Sequence, residues 1–202
     1  DPAINLNIST NNITNTIVAI HLIDINHSHL LANVLFNNTV GINLTRSHNN
    51  NISNNNLSAN DLGLTILSST NNTIYNNYFN NSDNAKDDGS VNNWNSSYTI
   101  ATNIIGGNHT GGNFWNDYTG KDTGSGTVPH DAKDDGIGDT EFPYTTGITG
   151  GDYLPLTNDN GSLASDSCIS ISTSTVLEGD ITCTTGDAVT IGADSITLDC
   201  NG

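Results

Sequence analysis

The chain has 202 residues, with 21 acidic side chains against four basic ones and a formal net charge of −17 at pH 7. So few cations exclude binding to nucleic-acid phosphates or to anionic membrane surfaces; the four are Arg46, Lys86, Lys121 and Lys133. No apolar run approaches the ~20 residues that a membrane-spanning helix needs, so membrane insertion is not predicted. Asn is frequent, with 34 residues, while only 12% of residues are charged, so a charge-repelled disordered chain is not expected.

A 22-residue period runs through the first 80 residues. Four apolar columns keep this step, namely Ile20/Ile42/Leu64, Leu22/Leu44/Ile66, Leu30/Ile52/Ile74 and Leu35/Leu57/Phe79. Within each unit apolar and polar residues alternate, which is typical of half-buried strands. The pattern predicts an all-β fold, a right-handed parallel β-helix over residues 3 to about 80, whose rungs stack at ~4.8 Å.

Asn residues keep the same step. The aligned sets are Asn33/Asn55/Asn77, Asn38/Asn60, Asn49/Asn71, Asn50/Asn72 and Asn54/Asn76. Asn tolerates the left-handed backbone conformation, and its amide can bond to the copy above or below. We therefore expect ladders of Asn at the turns between strands.

Residues 81–156 are rich in Gly, Asp and aromatic residues and are predicted to close the coil, because a stack of rungs needs its last edge covered. Trp94 and Trp115 in this segment are interpreted as plugs of the core or, alternatively, as surfaces that stack on sugar rings. Residues 157–167 form a polar linker. Residues 168–202 alternate again, as opening strands of a further β-helix or as a segment that stacks on a neighbouring subunit.

The loop Asp131-Ala132-Lys133-Asp134-Asp135-Gly136-Ile137-Gly138-Asp139 is the candidate metal site. Its alternating carboxylates and glycine turns resemble loops that hold Ca²⁺ in exported proteins, and Ca²⁺ prefers six to eight oxygen ligands. The predicted ligands are Asp131, Asp134, Asp135, the carbonyl of Ile137, and Asp139. Because Lys133 occupies a ligand position, Asp134, Asp117 or Asp122 is expected to compensate. The alternative is a solvated acidic turn.

The rungs GINLTRSHNNNISNNNL and GLTILSSTNNTIYNNYF resemble the parallel β-helix repeats of the NosD-like, carbohydrate-binding and sugar-hydrolase (CASH) family of archaeal cell-surface proteins. NIIGGNHTGGNFWNDYTGKD is similar to the segment that closes such repeats, and CISISTSTVLEGDITC resembles the start of another β-helix. The family names mention copper accessory factors and sugar hydrolases. The resemblance implies a fold and a cell-surface, extracellular location more than a reaction.

Copper binding and catalysis have weak support in the residues. His27 and His29 would share a face if their segment is a strand, with His21 nearby, but no histidine column forms at the 22-residue step. Asp24 and Arg46 lie one step apart and are predicted to form an ion pair. Since no paired carboxylates and no second cation lie in matched columns, no catalytic residue is assigned.

Twelve Asn-x-Ser/Thr sequons fit an exported glycoprotein carrying N-linked glycans; they lie at Asn7, Asn12, Asn26, Asn37, Asn43, Asn51, Asn56, Asn71, Asn80, Asn95, Asn108 and Asn160. The three cysteines are Cys168, Cys183 and Cys200, and a Cys168–Cys183 disulfide is the favoured pairing.

Along the chain, the regular rungs of a β-helix come first, its closing segment second and the opening strands of another β-helix last. This order predicts a unit of a tandem array or a subunit that stacks head to tail on copies of itself. The sequence therefore favours a non-enzymatic structural protein of a cell-surface filament, sheath or layer, glycosylated and stabilised by calcium. The alternatives are a carbohydrate-binding adhesion module and a polysaccharide lyase or hydrolase.

Overall fold

A computed structural model describes residues 5–122, 135–139 and 143–157, together with the backbone of four short strands between residues 169 and 199. All regular secondary structure in this part of the chain is β-strand. The contacts divide the chain into two units, Asp1–Asn160 and Gly161–Gly202.

Three parallel sheets form the faces of the first unit, and each rung contributes one strand to each face. The first face contains β1 (Asn7–Ser9), β4 (His29–Leu31), β7 (Asn51–Ser53) and β10 (Thr73–Tyr75). The second face contains β2 (Asn12–Thr14), β5 (Val34–Phe36), β8 (Asn56–Ser58), β11 (Tyr78–Asn80) and β15 (Phe114–Trp115). The third face contains β3 (Val18–Ile23), β6 (Val40–Thr45), β9 (Leu62–Leu67) and β12 (Asp83–Asp87). The predicted parallel β-helix with 22-residue rungs is confirmed.

The predicted apolar columns form the core. Leu30 pairs in register with Ile52, which pairs with Ile74, and all three side chains are fully buried. The other columns behave alike, so each inward side chain packs on its counterpart one rung away. Burial of each Leu or Ile stabilises the fold by roughly 1.5–3 kcal/mol.

The Asn columns are of two kinds, which the sequence prediction did not separate. Corner residues adopt positive φ in four columns, and all of them but the buried Asn76 are exposed: Thr10/Ala32/Asn54/Asn76, Asn15/Asn37/Ala59, Asp24/Arg46/Ser68 and His27/Asn49/Asn71. From the second rung on, the residue after each corner is polar and buried, as with Asn33, Asn38, Ser47 and Asn50. One kind of Asn therefore turns the backbone, and the other satisfies polar groups inside the coil.

Each buried Asn bonds in two directions along the stack. The Oδ1 atom of Asn55 accepts hydrogen bonds from the backbone N–H and the Nδ2 of Asn33, at 3.0 and 2.9 Å. Its own Nδ2 donates to the carbonyl oxygen of Leu30 at 2.9 Å and to Oδ1 of Asn77 at 3.0 Å. Backbone groups at the corners, which the sheets cannot pair, are satisfied in this way.

A glycine column begins the strands of the third face because the next rung leaves no room for a Cβ atom. A Cβ at Gly41 would lie 2.6 Å from the carbonyl oxygen of Gly63. A Cβ at Gly63 would lie 2.4 Å from the carbonyl oxygen of Asn84. The small residues that open each repeat are therefore required by the close approach of the rungs.

The last rung departs from the 22-residue step. β12 pairs with β9, and β15 pairs with β11, although 36 residues separate Asn77 from its ladder partner Asn113. The insertion includes a two-stranded antiparallel hairpin of β13 (Thr99–Ile100) and β14 (His109–Thr110). The predicted closing segment thus contributes strands to the coil itself.

The second unit also contains parallel strand pairs. β16 (Ile169–Ile171) pairs with β18 (Val189–Ile191), and β17 (Thr175–Val176) pairs with β19 (Leu198–Asp199). The predicted linker and domain boundaries stay predictions.

We predict that Asn55→Ala lowers the free energy of unfolding by about 3–5 kcal/mol, because it removes the acceptor of the buried backbone N–H of Asn33 and the amide donor to the carbonyl of Leu30. The control Ala32→Gly alters an exposed corner with positive φ that glycine also adopts, and it should cost less than about 1 kcal/mol. Urea unfolding of the two variants measures the difference, and equal losses would contradict the ladder's role.

Candidate functional site

The acidic loop packs against the closing end of the coil. The backbone N–H of Gly136 donates to Oδ2 of Asp122 at 2.7 Å, and that of Ile137 donates to Oδ1 of Asp135 at 2.8 Å. Ile137 also forms an antiparallel bridge with Leu156. The loop is therefore held by backbone pairing and by two carboxylates.

Three of the predicted metal ligands lie in the described part of the loop and are buried. The exposed fraction is 8% for Asp135 and 0% for Ile137 and Asp139. Asp131 and Asp134 lie outside the described residues. Of the compensating residues, Asp122 is buried and Asp117 is exposed.

Tyr118 lies close to the buried carboxylates at this end of the coil. Burial raises the pKa of its phenol, and the carboxylates of Asp152, Asp139 and Asp122 raise it further. The ring lies beside Gly120 and Gly138, where a Cβ would be 2.0 and 2.1 Å from the phenol oxygen. Buried carboxylates thus gather around one tyrosine.

A second buried carboxylate site ends an Asn ladder. Oδ2 of Asp152 accepts hydrogen bonds from the backbone N–H of Asn113 at 2.7 Å, from Asn113 Nδ2 at 3.2 Å and from Trp115 Nε1 at 2.9 Å. Its Oδ1 accepts from the N–H of Leu154 at 3.0 Å. The ladder that runs through Asn33, Asn55, Asn77 and Asn113 ends on a group that only accepts when ionised.

Complete burial decides the protonation of Asp152. Desolvation raises the pKa of Asp152 to about 6, against the opposing effect of the hydrogen bonds from Asn113, Trp115 and Leu154. Antiparallel backbone bonds of 2.9 Å in each direction join Asp152 to Tyr144. One carboxylate therefore connects the ladder, the aromatic core and the closing chain.

Aromatic rings cover the end of the apolar core. Trp115 stacks on Phe79 at 4.4 Å between centroids and on Tyr144 at 4.1 Å, with Trp94 tilted against it at 6.0 Å. Trp94 and Trp115 are each only 1% exposed. The interpretation as core plugs is therefore correct, and neither ring offers a face to a sugar.

The histidines do not converge. His27 occupies a corner with φ of 56° and the strand begins at His29, so the condition under which the two would share a strand face is not met. The backbone N–H of His48 donates to Asn26 Oδ1 at 2.7 Å and its ring Nδ1 lies 3.0 Å from Thr70 Oγ1. His109 donates from Nδ1 to the carbonyl oxygen of Asp135 at 2.9 Å. No group of three His, Cys, Asp or Glu side chains that could hold a metal ion occurs among the described residues.

The predicted Asp24–Arg46 ion pair is confirmed. Arg46 donates from Nε to Oδ1 at 2.7 Å and from a terminal nitrogen to Oδ2 at 2.8 Å, in a bidentate arrangement. These bonds lower the pKa of Asp24. The single cation of the regular rungs is thereby already paired on the exposed corner.

The sequons occupy both strands and corners. Eleven of the twelve Asn residues lie in the described part of the chain, and all eleven are exposed or half-buried. Asn160 and the cysteines Cys168, Cys183 and Cys200 lie outside the described residues. The predicted disulfide therefore stays a prediction.

Sequence reasoning missed Asp152 as a structural centre. Its ladder partner Asn113 lies 36 residues after Asn77, so a search for a 22-residue step does not reach it. A usable signal was the pattern of Asn followed by an aromatic strand in Asn113-Phe114-Trp115, which repeats Asn77-Tyr78-Phe79.

A model of the family described as periplasmic copper-binding protein (NosD) matches residues 2–120, more than half of the chain. The chain belongs to this family. The resemblance to NosD-like repeats is thereby confirmed. No curated protein and no solved structure matches the chain significantly. Within its described residues, this NosD family member has no helix with the length and hydrophobicity needed to cross a bilayer.

The NosD family description names copper, which imidazole ligands suit. In the described part of the chain His27 and His48 are backbone-bonded neighbours on adjacent rungs, but no cluster of three metal-ligating side chains forms. These residues therefore do not fit a copper site.

We predict that acidification stabilises the protein through Asp152. The folded state binds a proton at this group more tightly than the unfolded chain does, since the pKa rises from 3.8 to about 6. The stabilisation is fully present below about pH 4 and is lost as the pH rises through about 6. Between pH 7.5 and pH 5 the wild type should gain about 1.4 kcal/mol more than Asp152→Asn, measured by urea unfolding.

Asp152→Asn should also be less stable at both pH values, because an amide Nδ2 cannot accept from the N–H of Leu154. Identical pH dependence in wild type and variant would contradict the assignment.

Proposed function

We propose that this NosD family member is a non-enzymatic structural protein of the cell envelope or cell exterior, a β-helical unit of a filament, sheath or layer. The observation that carries the proposal is the unbroken set of side-chain ladders that parallels the backbone sheets from Asn11 to Asp152. The family's description as periplasmic supports the location.

The ladders suit a mechanical role. Tension along the coil axis loads three backbone sheets and the buried Asn columns at the same time, so no single hydrogen bond bears the force. The Asn amides also fix the register, because a shift by one residue would bury unpaired polar groups.

The faces of the coil offer little for catalysis. The side chain of Arg46 is held by Asp24, and the buried carboxylates lie at the closing end, where backbone N–H groups and Tyr118 engage them. A lyase would need several cations to bind an acidic sugar, whereas the described faces of the coil carry only the paired Arg46 and the exposed Lys86 of β12. A hydrolase would need two carboxylates facing a groove. These requirements favour a structural role over an enzymatic one.

Self-assembly is the first test. Purified protein viewed by electron microscopy should form fibres or a lattice, and aligned fibres should diffract at ~4.8 Å along their axis because the rungs stack in that direction. Dispersed monomers under all conditions would contradict assembly. Release of products from acidic polysaccharides would contradict the non-enzymatic role.

We further propose that Ca²⁺ stabilises the acidic loop. Asp122, Asp135 and Asp139 are buried, and hard Ca²⁺ prefers carboxylate oxygens, although the described residues alone form no group of three metal ligands. Like charges in a buried site repel one another, so a bound divalent cation would lower the cost of ionising them.

Saturating calcium should raise the melting temperature by about 5–10 °C over protein treated with a calcium chelator. Asp139→Asn should lose most of this increase, whereas the control Asp61→Asn on the exposed coil should keep it. An unchanged melting temperature in wild-type protein would reject the calcium proposal.

A further inference from the structure

Four sequons occupy equivalent places on two faces of the coil. Each consists of a three-residue strand, with Asn and Ser or Thr at its ends and an apolar residue between them: Asn7–Ser9, Asn12–Thr14, Asn51–Ser53 and Asn56–Ser58. Since side chains alternate along a strand, the Asn and the hydroxyl residue lie on the outer face while the apolar residue enters the core; Ser53 is the exception in exposure, at 5%. These sequons occur in the first and third rungs.

The second rung, between them, is apolar on its outer side. Leu31, Val34 and Phe36 are 39%, 39% and 48% exposed. Val34 pairs in register with Asn12 on one side and Asn56 on the other. An exposed apolar patch is thus bracketed by sequons on both sides.

The amide nitrogens of these strands are not used in the hydrogen bonding of the fold. Among the described residues, Asn51 and Asn56 are half-buried and donate no side-chain hydrogen bond, and the Oδ1 of each is buried without a hydrogen-bond partner. Corner sequons differ, since Asn37 donates from Nδ2 to Asn15 Oδ1 at 2.7 Å and Asn71 donates to Asn49 Oδ1. Corner amides therefore have a role in the fold, whereas the strand amides have none.

The spacing suits attached sugars. Adjacent rungs lie ~4.8 Å apart, which is too close for pyranose rings on neighbouring strands of one face, whereas alternate rungs lie ~9.6 Å apart. A sugar on Asn12 or Asn56 would lie over the second rung, where its apolar ring face can cover Val34 and Phe36.

We propose that Asn7, Asn12, Asn51 and Asn56 carry N-linked glycans, which cover the apolar patch of Leu31, Val34 and Phe36. The inference rests on the export implied by the proposed function. In the reaction Asn Nδ2 attacks the anomeric carbon of a lipid-pyrophosphate-linked oligosaccharide. A C–N bond forms, the bond from that carbon to the pyrophosphate oxygen breaks, Nδ2 loses one proton, and the lipid pyrophosphate leaves.

The test uses the full chain produced in a host that N-glycosylates exported proteins and in one that does not. Mass spectrometry of glycopeptides should find sugar on the four strand Asn residues. The double variant N12Q/N56Q retains polar amides while removing two acceptors. From the glycosylating host it should bind a hydrophobic dye several-fold more than the wild type, and from the other host the two proteins should bind the dye equally.

Each alternative outcome has a separate meaning. Glycans confined to corner sequons such as Asn37 and Asn71 would overturn the inference and leave the protein a glycoprotein. Occupied strand sites with equal dye binding would overturn the covering role. Unmodified sequons throughout would overturn both this inference and the glycosylation expected of an exported protein, while filament formation would still be judged by microscopy.

Discussion

Pairing the polar backbone at the corners of a closely stacked coil is the constraint on which the rest of this structure depends. At each corner the chain turns out of the sheet, and its N–H and C=O groups face the interior, where water cannot reach them. A buried Asn satisfies these groups. Its side-chain oxygen accepts from the backbone N–H of the preceding rung and its Nδ2 donates to a backbone carbonyl, as in Asn55. The Asn-rich composition is a consequence of this geometry.

The repeat made the coil predictable, because every apolar column recurs in the same register. Two classes of Asn could not be told apart from sequence, because adjacent residues such as Asn54 and Asn55 share a period and differ only in burial and φ. The last rung was less predictable still. Its partners, including Asn113 and Asp152, are brought together by an insertion whose length follows no period.

The acidic residues behind the net charge of −17 differ in their energetic cost. Exposed carboxylates such as Asp24 cost little, since water and Arg46 solvate them. At the closing end, Asp122, Asp135, Asp139 and Asp152 are buried. The energetics of acid groups in this protein therefore depend on a few residues near Tyr118, where burial and mutual repulsion act together.

Asp152 gives the coil a direction. Every buried Asn in its column donates toward the next rung, and the column stops where a carboxylate accepts without passing a donor onward. Because the contacts that the structure describes for Asp152 are with the last rung and the closing chain, inserting or removing a complete internal rung leaves them intact. A coil built in this way can therefore become longer or shorter by whole 22-residue rungs while its closing end stays the same.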